Sequence, residues 1–251
     1  MIKPLVFLIF FGFLVLACGD ASTTFDTSRR SVVSLRTRFV NTHLPLRQEA
    51  RTGSGFFVSN EHVITAFHVV RTMEKEIAEY PEGKAKIFVE WTSSDGSSSF
   101  SVPVERGLTD EGSDLVILKA DPAIIRPFVE SGGLAVLELE NSSPAIGDEV
   151  IMSGYSAEED RTFTVTGNIS LISERDESKR GLPPNTIFCD LTSLPGNSGA
   201  AIISARSGRV VGVQLGALKW GATNTGMAYA ANVASLRQLL SQQKTITSPV
   251  K

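Results

Sequence analysis

The chain has 251 residues, of which 42% are hydrophobic, and its 24 basic and 27 acidic side chains give a formal net charge of −3. This length and apolar content suffice for one large domain with its own core. The basic residues are scattered and form no stripe interleaved with aromatic residues, so no nucleic-acid partner is expected. The three histidines and two cysteines form no ligand cluster in the sequence, so we expect no metal and no organic cofactor.

The first residues have the composition of an export signal. Lys3 supplies one positive charge, and residues 4–17 are almost wholly apolar but too few for a membrane span, which needs about 20 residues. The run ends in Val15-Leu16-Ala17-Cys18, which resembles the lipobox of bacterial lipoproteins and implies that Cys18 carries a lipid. An ordinary signal peptide with an incidental cysteine and an N-terminal anchor helix are the alternatives.

These features set the expected boundaries before the folded domain. Residues 1–17 form a signal peptide, and residues 18–30 form a lipidated N-terminus followed by a small, polar tether. The protein would then be lipid-anchored in the bacterial cell envelope, facing the periplasm or the cell exterior. The second cysteine, Cys189, would have no disulfide partner and is interpreted as a buried packing residue.

Short apolar runs separated by turn residues predict six strands before residue 121. The loop between the fourth and the fifth contains Asp95-Gly96, a strong hairpin signal. The sixth run is continuously apolar, which indicates a strand that is buried on both faces. The predicted strands are 31–36, 54–59, 62–65, 86–91, 100–105 and 115–119.

A linker over 121–145, which contains prolines and a Gly-Gly pair, separates this series from a second one. Six more strands are predicted at 149–153, 162–172, 186–191, 200–204, 209–215 and 227–230. The one convincing domain helix spans 233–243, where Val233, Leu236, Leu239 and Leu240 share a face. The sequence therefore predicts an all-β domain over 31–245 that is built from two antiparallel barrels. The expected boundaries are about 31–120 for barrel one, 146–231 for barrel two, 232–243 for the helix and 246–251 for a tail.

Residues 194–200, with the sequence LPGNSGA, hold a serine between two glycines directly after a proline. A simple turn is one interpretation, since Pro, Gly, Asn and Ser all favour turns. The other is a nucleophile on a bend, with backbone N–H groups facing a developing oxyanion. Among the histidines, His43 lies in a loop-like stretch, His62 begins a strand, and His68 lies among apolar residues where a packed core histidine is common.

Three segments together carry a family resemblance: GSGFFVSNEHVITAFHVV at 53–70, SDLVILK at 113–119 and PGNSGA at 195–200. They resemble the trypsin-like serine proteases and are most similar to the protease domain of the HtrA (DegP-like) branch. The resemblance extends over about Ser31 to Leu240. It implies a chymotrypsin-like fold, with two antiparallel six-stranded Greek-key β-barrels and a C-terminal helix.

The resemblance also implies a catalytic triad of His68, Asp114 and Ser198, in the chain order of the chymotrypsin type. A serine hydroxyl needs a base to take its proton, and a histidine that titrates near neutrality can do so and then protonate the leaving amine. An aspartate would hold the imidazole in its correct tautomer. Asp110 is the rival for this third role. The N–H groups of Gly196 and Ser198 would form the oxyanion hole.

Specificity is expected to come from a neutral pocket. In trypsin an acidic residue lies six positions before the nucleophile, and that position here is Thr192, while Asp190 lies outside it. Small or medium aliphatic residues before the cut are therefore expected. The expected pocket residues are Thr192, Val213, Gln214, Leu215, Gly216, Gly226 and Ala228.

These expectations describe a serine endopeptidase that cleaves proteins or peptides outside the cytoplasm, with a role in envelope protein quality control implied by the HtrA resemblance. Its partners would be protein or peptide substrates and, through the lipid, a membrane. A catalytically silent pseudoprotease or binding lipoprotein on the same fold is the main alternative. A structural envelope lipoprotein, in which LPGNSGA is only a turn, is another. In digestive-type relatives, as the resemblance implies, an aspartate just before the catalytic serine pairs with the N-terminal ammonium that zymogen cleavage creates. Asn197 occupies this position and is uncharged, so it cannot make that ion pair. No proteolytic activation step is therefore expected.

Overall fold

The computed structural model describes residues 21–39, 51–79, 85–93, 96–156, 162–173, 181–220 and 223–247. The predicted lipid site Cys18, the loop histidine His43, and residues 174–180 lie outside these ranges.

Within these ranges, twelve strands form two closed barrels in which every neighbouring pair is antiparallel. Barrel one has the order β1-β2-β3-β6-β5-β4, and barrel two has the order β10-β11-β12-β9-β8-β7. The predicted fold class is confirmed. The strands of barrel one are β1 (Val32–Phe39), β2 (Arg51–Phe57), β3 (His62–Ala66), β4 (Ala85–Thr92), β5 (Ser99–Asp110) and β6 (Leu115–Ala120). Those of barrel two are β7 (Glu149–Tyr155), β8 (Thr162–Ile172), β9 (Thr186–Cys189), β10 (Ala201–Ser204), β11 (Val210–Trp220) and β12 (Thr223–Asn232).

Four helices accompany the barrels in the described ranges: α1 (Ala21–Ser31), α2 (Phe67–Ala78), α3 (Pro122–Glu130) and α4 (Val233–Thr247). Only α4 was expected, and it extends beyond the predicted end at residue 243. Helix α3 lies in the predicted linker, where the Asp121 carboxylate caps the Ala123 N–H at 2.8 Å. Proline at the first helical position fits a helix start, so Pro122 was a helix signal rather than a breaker.

The polar tether predicted for residues 18–30 is wrong from residue 21 onward, because α1 packs on the domain. The Ser28 hydroxyl is buried and lies 2.7 Å from the Ser153 hydroxyl on β7. The Arg30 guanidinium donates to the Gly132 carbonyl at 2.7 Å, and the Arg30 carbonyl accepts from the Ala135 N–H at 3.0 Å. These hydrogen bonds to both barrel two and the inter-barrel segment stabilise a helix that its own polar composition does not predict.

One hydrophobic cluster joins the two barrels. It contains the interior of barrel one, with Phe56 and Phe57 fully buried, and continues through Val213 and Leu215 of β11 to Leu236 of α4. A second cluster fills barrel two. The shared cluster holds the barrels side by side, so that loops from both can meet in the cleft between them. No helix in the described ranges is long and apolar enough to span a membrane.

Candidate active site

His68 and Asp114 form a close pair at the edge of the inter-barrel cleft. The His68 Nδ1 atom lies 2.6 Å from the Asp114 Oδ2 atom, and the other carboxylate oxygen accepts the His68 backbone N–H at 2.8 Å. The side chains are 36% and 25% exposed, so the imidazole can be reached from solvent. Because Nδ1 faces a carboxylate, the Nδ1–H tautomer is favoured and Nε2 is left as the basic nitrogen.

The same aspartate also begins helix α2. Ala66 occupies the N-cap position and offers no side-chain cap, so the first N–H groups of the helix need other acceptors. The Asp114 carbonyl accepts from the Phe67 N–H at 2.9 Å, and its carboxylate accepts from the His68 N–H. A carboxylate at a helix N-terminus is stabilised by the helix dipole. The pair is thus fixed by the main chain as well as by the side chains.

Asp114 has a backbone φ of +54°, which is uncommon for a residue with a side chain and carries a strain cost. The rival carboxylate, Asp110, accepts the Ser113 N–H at 3.2 Å in the turn before this residue. The structure therefore brings Asp114 and not Asp110 to His68, and it gives Asp110 the role of a turn cap.

Ser198 lies on the turn before β10. Its backbone carbonyl accepts the Ser54 N–H at 2.8 Å, which ties the turn to β2 of barrel one. A Cβ on Gly53 would lie 3.0 Å from that carbonyl and 2.7 Å from the Val69 methyl carbons. The serine-bearing turn and the α2 turn that carries His68 thus pack against the same glycine.

The Ser198 hydroxyl donates to the Leu215 carbonyl at 3.2 Å in this conformation. Leu215 and His68 both line a cleft of about 500 Å³, together with Phe67, Arg71 and Asp114.

Tyr229 is a cleft residue that the sequence did not reveal. It lines the same cleft as His68 and Asp114. Burial, and then the negative charge of Asp114, raise the pKa of its phenol, so it stays neutral and can donate a hydrogen bond. A Cβ on Gly216 would lie 2.6 Å from the Tyr229 hydroxyl oxygen. Gly216 on β11 therefore leaves room for the Tyr229 ring. The sequence alone does not show this relation, because it depends on the pairing of β11 with β12.

The oxyanion loop, defined here as residues 194–199, presents two backbone donors beside the serine. Gly196 has a φ of +96°, a region that glycine enters without a steric penalty. Within the described residues, neither the Gly196 N–H nor the Ser198 N–H donates to a protein acceptor. Two N–H groups on one turn could stabilise negative charge on a carbonyl oxygen placed between them.

The expected pocket residues have different environments. Thr192 and Gly226 are exposed, and Gly216 is half-buried. Gln214 is fully buried, and its amide nitrogen donates to both the Ser193 hydroxyl and the Gly216 carbonyl at 2.8 Å.

Two of the predicted pocket residues have side chains buried in the hydrophobic clusters. Val213 belongs to the cluster that joins the barrels, and Ala228 belongs to the core of barrel two. Strand alternation explains this difference, because neighbouring residues on a strand point to opposite faces. Leu215 lines the cleft rather than a separate pocket.

The remaining candidates lie away from the cleft. Asp190 accepts the Asn168 N–H on β8 with its carboxylate. His62 Nδ1 lies 3.1 Å from the Ser59 hydroxyl, and burial lowers the pKa of this imidazole. Cys189 is a buried free thiol, and burial, with a smaller effect of Asp190, raises its pKa to about 12. That environment is that of a packing residue rather than of a reactive thiol.

A family model for the trypsin-like peptidase domain matches residues 53–213. The chain therefore belongs to the trypsin-like peptidase family. A search of curated protein sequences finds no match.

Solved structures show the same fold. Deg5 is 20% identical with a TM-score of 0.61, over 86% of this chain and 90% of that one. The serine endoprotease from Yersinia pestis is 20% identical with a TM-score of 0.60, over 89% and 66%. The HtrA-type protease AlgW, solved with a decapeptide, is 20% identical with a TM-score of 0.64, over 89% and 68%. The fold is thus that of HtrA-type proteases.

Proposed function

We propose that this protein is a serine endopeptidase in which Ser198 is the nucleophile, His68 the general base and Asp114 the residue that orients the imidazole. The observation that carries the proposal is the contact of 2.6 Å between His68 Nδ1 and Asp114 Oδ2, in a cleft also lined by Leu215, whose carbonyl accepts from the Ser198 hydroxyl. This contact leaves His68 Nε2 free to act on a hydroxyl, as nucleophilic catalysis by serine requires.

The reaction begins when the Ser198 hydroxyl turns from the Leu215 carbonyl toward His68 Nε2. The imidazole takes the proton as the serine oxygen attacks the substrate carbonyl carbon, and the Gly196 and Ser198 N–H groups stabilise the resulting oxyanion. Imidazolium then protonates the leaving amine, and water hydrolyses the acyl-enzyme by the same steps. The Asp114 carboxylate, 2.6 Å from His68 Nδ1, stabilises the imidazolium.

A fluorophosphonate probe and a peptide library test this mechanism. We expect wild-type protein to be labelled, and Ser198→Ala and His68→Ala to lose at least about a thousandfold in activity while keeping their unfolding temperatures, because all members of a triad act as a unit. The matched control is His62→Gln, since His62 lies away from the cleft, and its activity should stay within about twofold. Wild-type hydrolysis by either triad variant would refute the assignment.

A catalytically silent binding protein is the second candidate, and the hydrogen bond from Ser198 to Leu215 is the observation that favours it. In that case the serine never turns to His68, and neither labelling nor cleavage occurs. Failure of wild-type protein to react with the probe, with the fold intact, would support this candidate over the enzyme.

The proposed substrates are proteins or peptides outside the cytoplasm, with a role in envelope protein quality control. The shared fold with HtrA-type proteases and the export signal predicted from residues 1–17 support this proposal. We also propose that Cys18 is lipidated and anchors the protein to a membrane. Mass spectrometry of the mature N-terminus tests the anchor, and an unmodified N-terminal residue beyond Cys18 would refute it.

A further inference from the structure

Asn197, the residue before the candidate nucleophile, is 2% exposed, and its amide makes two hydrogen bonds of opposite polarity. Its Oδ1 atom accepts the Leu194 N–H at 2.8 Å, within the oxyanion loop. Its Nδ2 atom donates to the Tyr155 carbonyl at 3.0 Å, at the end of β7. The first bond closes the loop on itself, and the second ties the loop to barrel two.

Ser54 on β2 holds the other side of the same loop. This fully buried residue donates from its hydroxyl to the Gly196 carbonyl at 2.7 Å and accepts the Tyr155 N–H at 2.9 Å. Its own N–H donates to the Ser198 carbonyl. Ser54 thus binds the residues on both sides of Asn197, and Tyr155 is shared by both side chains.

The fit around this arrangement is close. A Cβ on Gly154 would lie 2.6 Å from the Asn197 amide nitrogen. Glycine at this place is what lets the amide reach the Tyr155 carbonyl. Contacts this close, made from three different segments, leave the loop few alternative conformations.

We propose that Ser54 and Asn197 are positioning residues that hold the oxyanion loop in its working shape through uncharged hydrogen bonds. They touch no reacting atom. They act through the peptide units on either side of Gly196 and Ser198, whose N–H groups must point at the developing charge. The proposal rests on the proposed function, since a positioned loop matters only if the loop stabilises an oxyanion.

Asn197→Asp gives a test that a general packing role does not reproduce. An ionised carboxylate can accept from the Leu194 N–H but cannot donate to the Tyr155 carbonyl, so the loop loses one bond and gains a repulsion. A protonated carboxyl restores the donor. Burial raises the pKa of the introduced carboxyl, which brings its titration into an accessible pH range.

The measurement is the ratio of variant to wild-type kcat between pH 5.5 and pH 8. At pH 8 we expect kcat to fall by about ten- to a hundredfold with little change in KM, since loss of one oxyanion donor costs about 100- to 1,000-fold. The ratio should then rise at least about threefold as pH falls and the carboxyl is protonated. Tyr155, which accepts the Asn197 amide with its backbone carbonyl, and His68 are the same in both proteins, so the ratio of the two kcat values reports the introduced carboxyl.

Two further variants complete the design. Ser54→Ala removes two hydrogen bonds without adding a titratable group. Its kcat should therefore be about tenfold below that of wild type, and this factor should be the same at every pH. Asn232→Asp is the matched control: this buried amide uses its oxygen to accept from the Ala234 N–H and the Ser143 hydroxyl, which a carboxylate can also do. The ratio of the Asn232→Asp kcat to the wild-type kcat should stay near one over the whole pH range.

The outcomes separate the two proposals. The positioning roles would be overturned if Ser54→Ala kept the kcat of wild type, or if the kcat ratio for Asn197→Asp did not change with pH. Neither result would contradict the proposed peptidase activity. Should Asn197→Asp not fold, Ser54→Ala alone decides by the same criterion. Should wild-type protein prove inert, the proposed function fails, and the catalytic role proposed for Ser54 and Asn197 fails with it. Amide hydrogen exchange of residues 194–199 would then show whether Ser54→Ala still loosens the loop.

Discussion

Gly199 shows how strictly the backbone around the candidate nucleophile is determined. It has a φ of +92°, and a Cβ there would overlap both the Ser54 carbonyl oxygen and Thr65 Oγ1. Both neighbours are buried and belong to the wall of barrel one. The residue after Ser198 therefore has to be glycine for two separate reasons, backbone conformation and lack of space.

We expect Gly199→Ala to lower the free energy of unfolding by at least about 3 kcal/mol, since it combines left-handed strain with a clash against backbone. Gly226→Ala is the matched control, because Gly226 also has a positive φ, of +75°, but a Cβ added there would have no atom within 4 Å. It should cost only about 1–2 kcal/mol, the cost of strain alone. Urea denaturation of both variants makes the comparison. Equal losses would show that the close approach to β2 is not decisive.

At the scale of the elements, we expect Gln214 on β11 to limit the size of the side chain that the expected pocket can accept. Its buried side chain lies between Ser193 and Gly216, which belong to the two segments expected to form the pocket walls. A side chain of this size, fixed at both walls, takes volume that a substrate side chain would otherwise use. A small residue before the cut is therefore expected.

Gln214→Ala should shift the preference before the cut from alanine toward leucine by about tenfold or more, since each methylene in such a pocket is worth about 1–3 kcal/mol. Gln214→Leu keeps the volume while removing the hydrogen bonds, so it should retain the wild-type preference. Cleavage profiles of a peptide library decide. Equal broadening by both variants would assign the effect to the hydrogen bonds instead of the volume.

The strands could be predicted from the sequence, whereas three of the four helices in the described ranges could not. Strand signals are local, because alternation and turn residues lie within each segment. Helix α2 continues the apolar run of β3, and the groups that cap it come from Asp114, far along the chain. Helix α1 is rich in serine and threonine and depends on contacts such as that between Ser28 and Ser153.

The candidate site likewise has parts that the sequence predicts and parts that depend on long-range contacts. Motifs located His68, Asp114 and Ser198, and the structure brings the first two into contact. The roles inferred for Ser54 and Tyr229 depend on contacts between strands distant in sequence, which no local pattern carries. Alternation alone puts Val213 and Gln214 on opposite faces of β11, but the pairing of the strands decides that Val213 is the one that faces the cluster joining the barrels.

For the molecule as a whole, α1 fixes where the chain enters the domain. Its hydrogen bonds reach barrel two through Ser153 and the inter-barrel segment through Gly132 and Ala135. A chain that begins at Val32 would lose all of them, and we expect its unfolding temperature to fall by several degrees relative to one that begins at residue 20, since about 1 kcal/mol shifts it by about 2–4 °C in a domain of this size. Calorimetry measures the difference, and equal temperatures would show that α1 adds nothing.

The last expectation is that no N-terminal cleavage switches the enzyme on. In digestive-type relatives, as the resemblance implies, an aspartate before the serine pairs with a newly made ammonium group, but Asn197 is uncharged. Both hydrogen-bonding ends of its amide are already used, by Leu194 and by Tyr155. Proteins that begin at residue 20 and carry different N-terminal extensions should therefore hydrolyse peptides at rates within about twofold of one another, since none of these bonds involves the terminus. The measurement is kcat/KM for each extension, with Ser198→Ala as the blank. Activity that appeared only after trimming to one defined residue would contradict this account, because an ion pair with that terminus would then be ordering the loop.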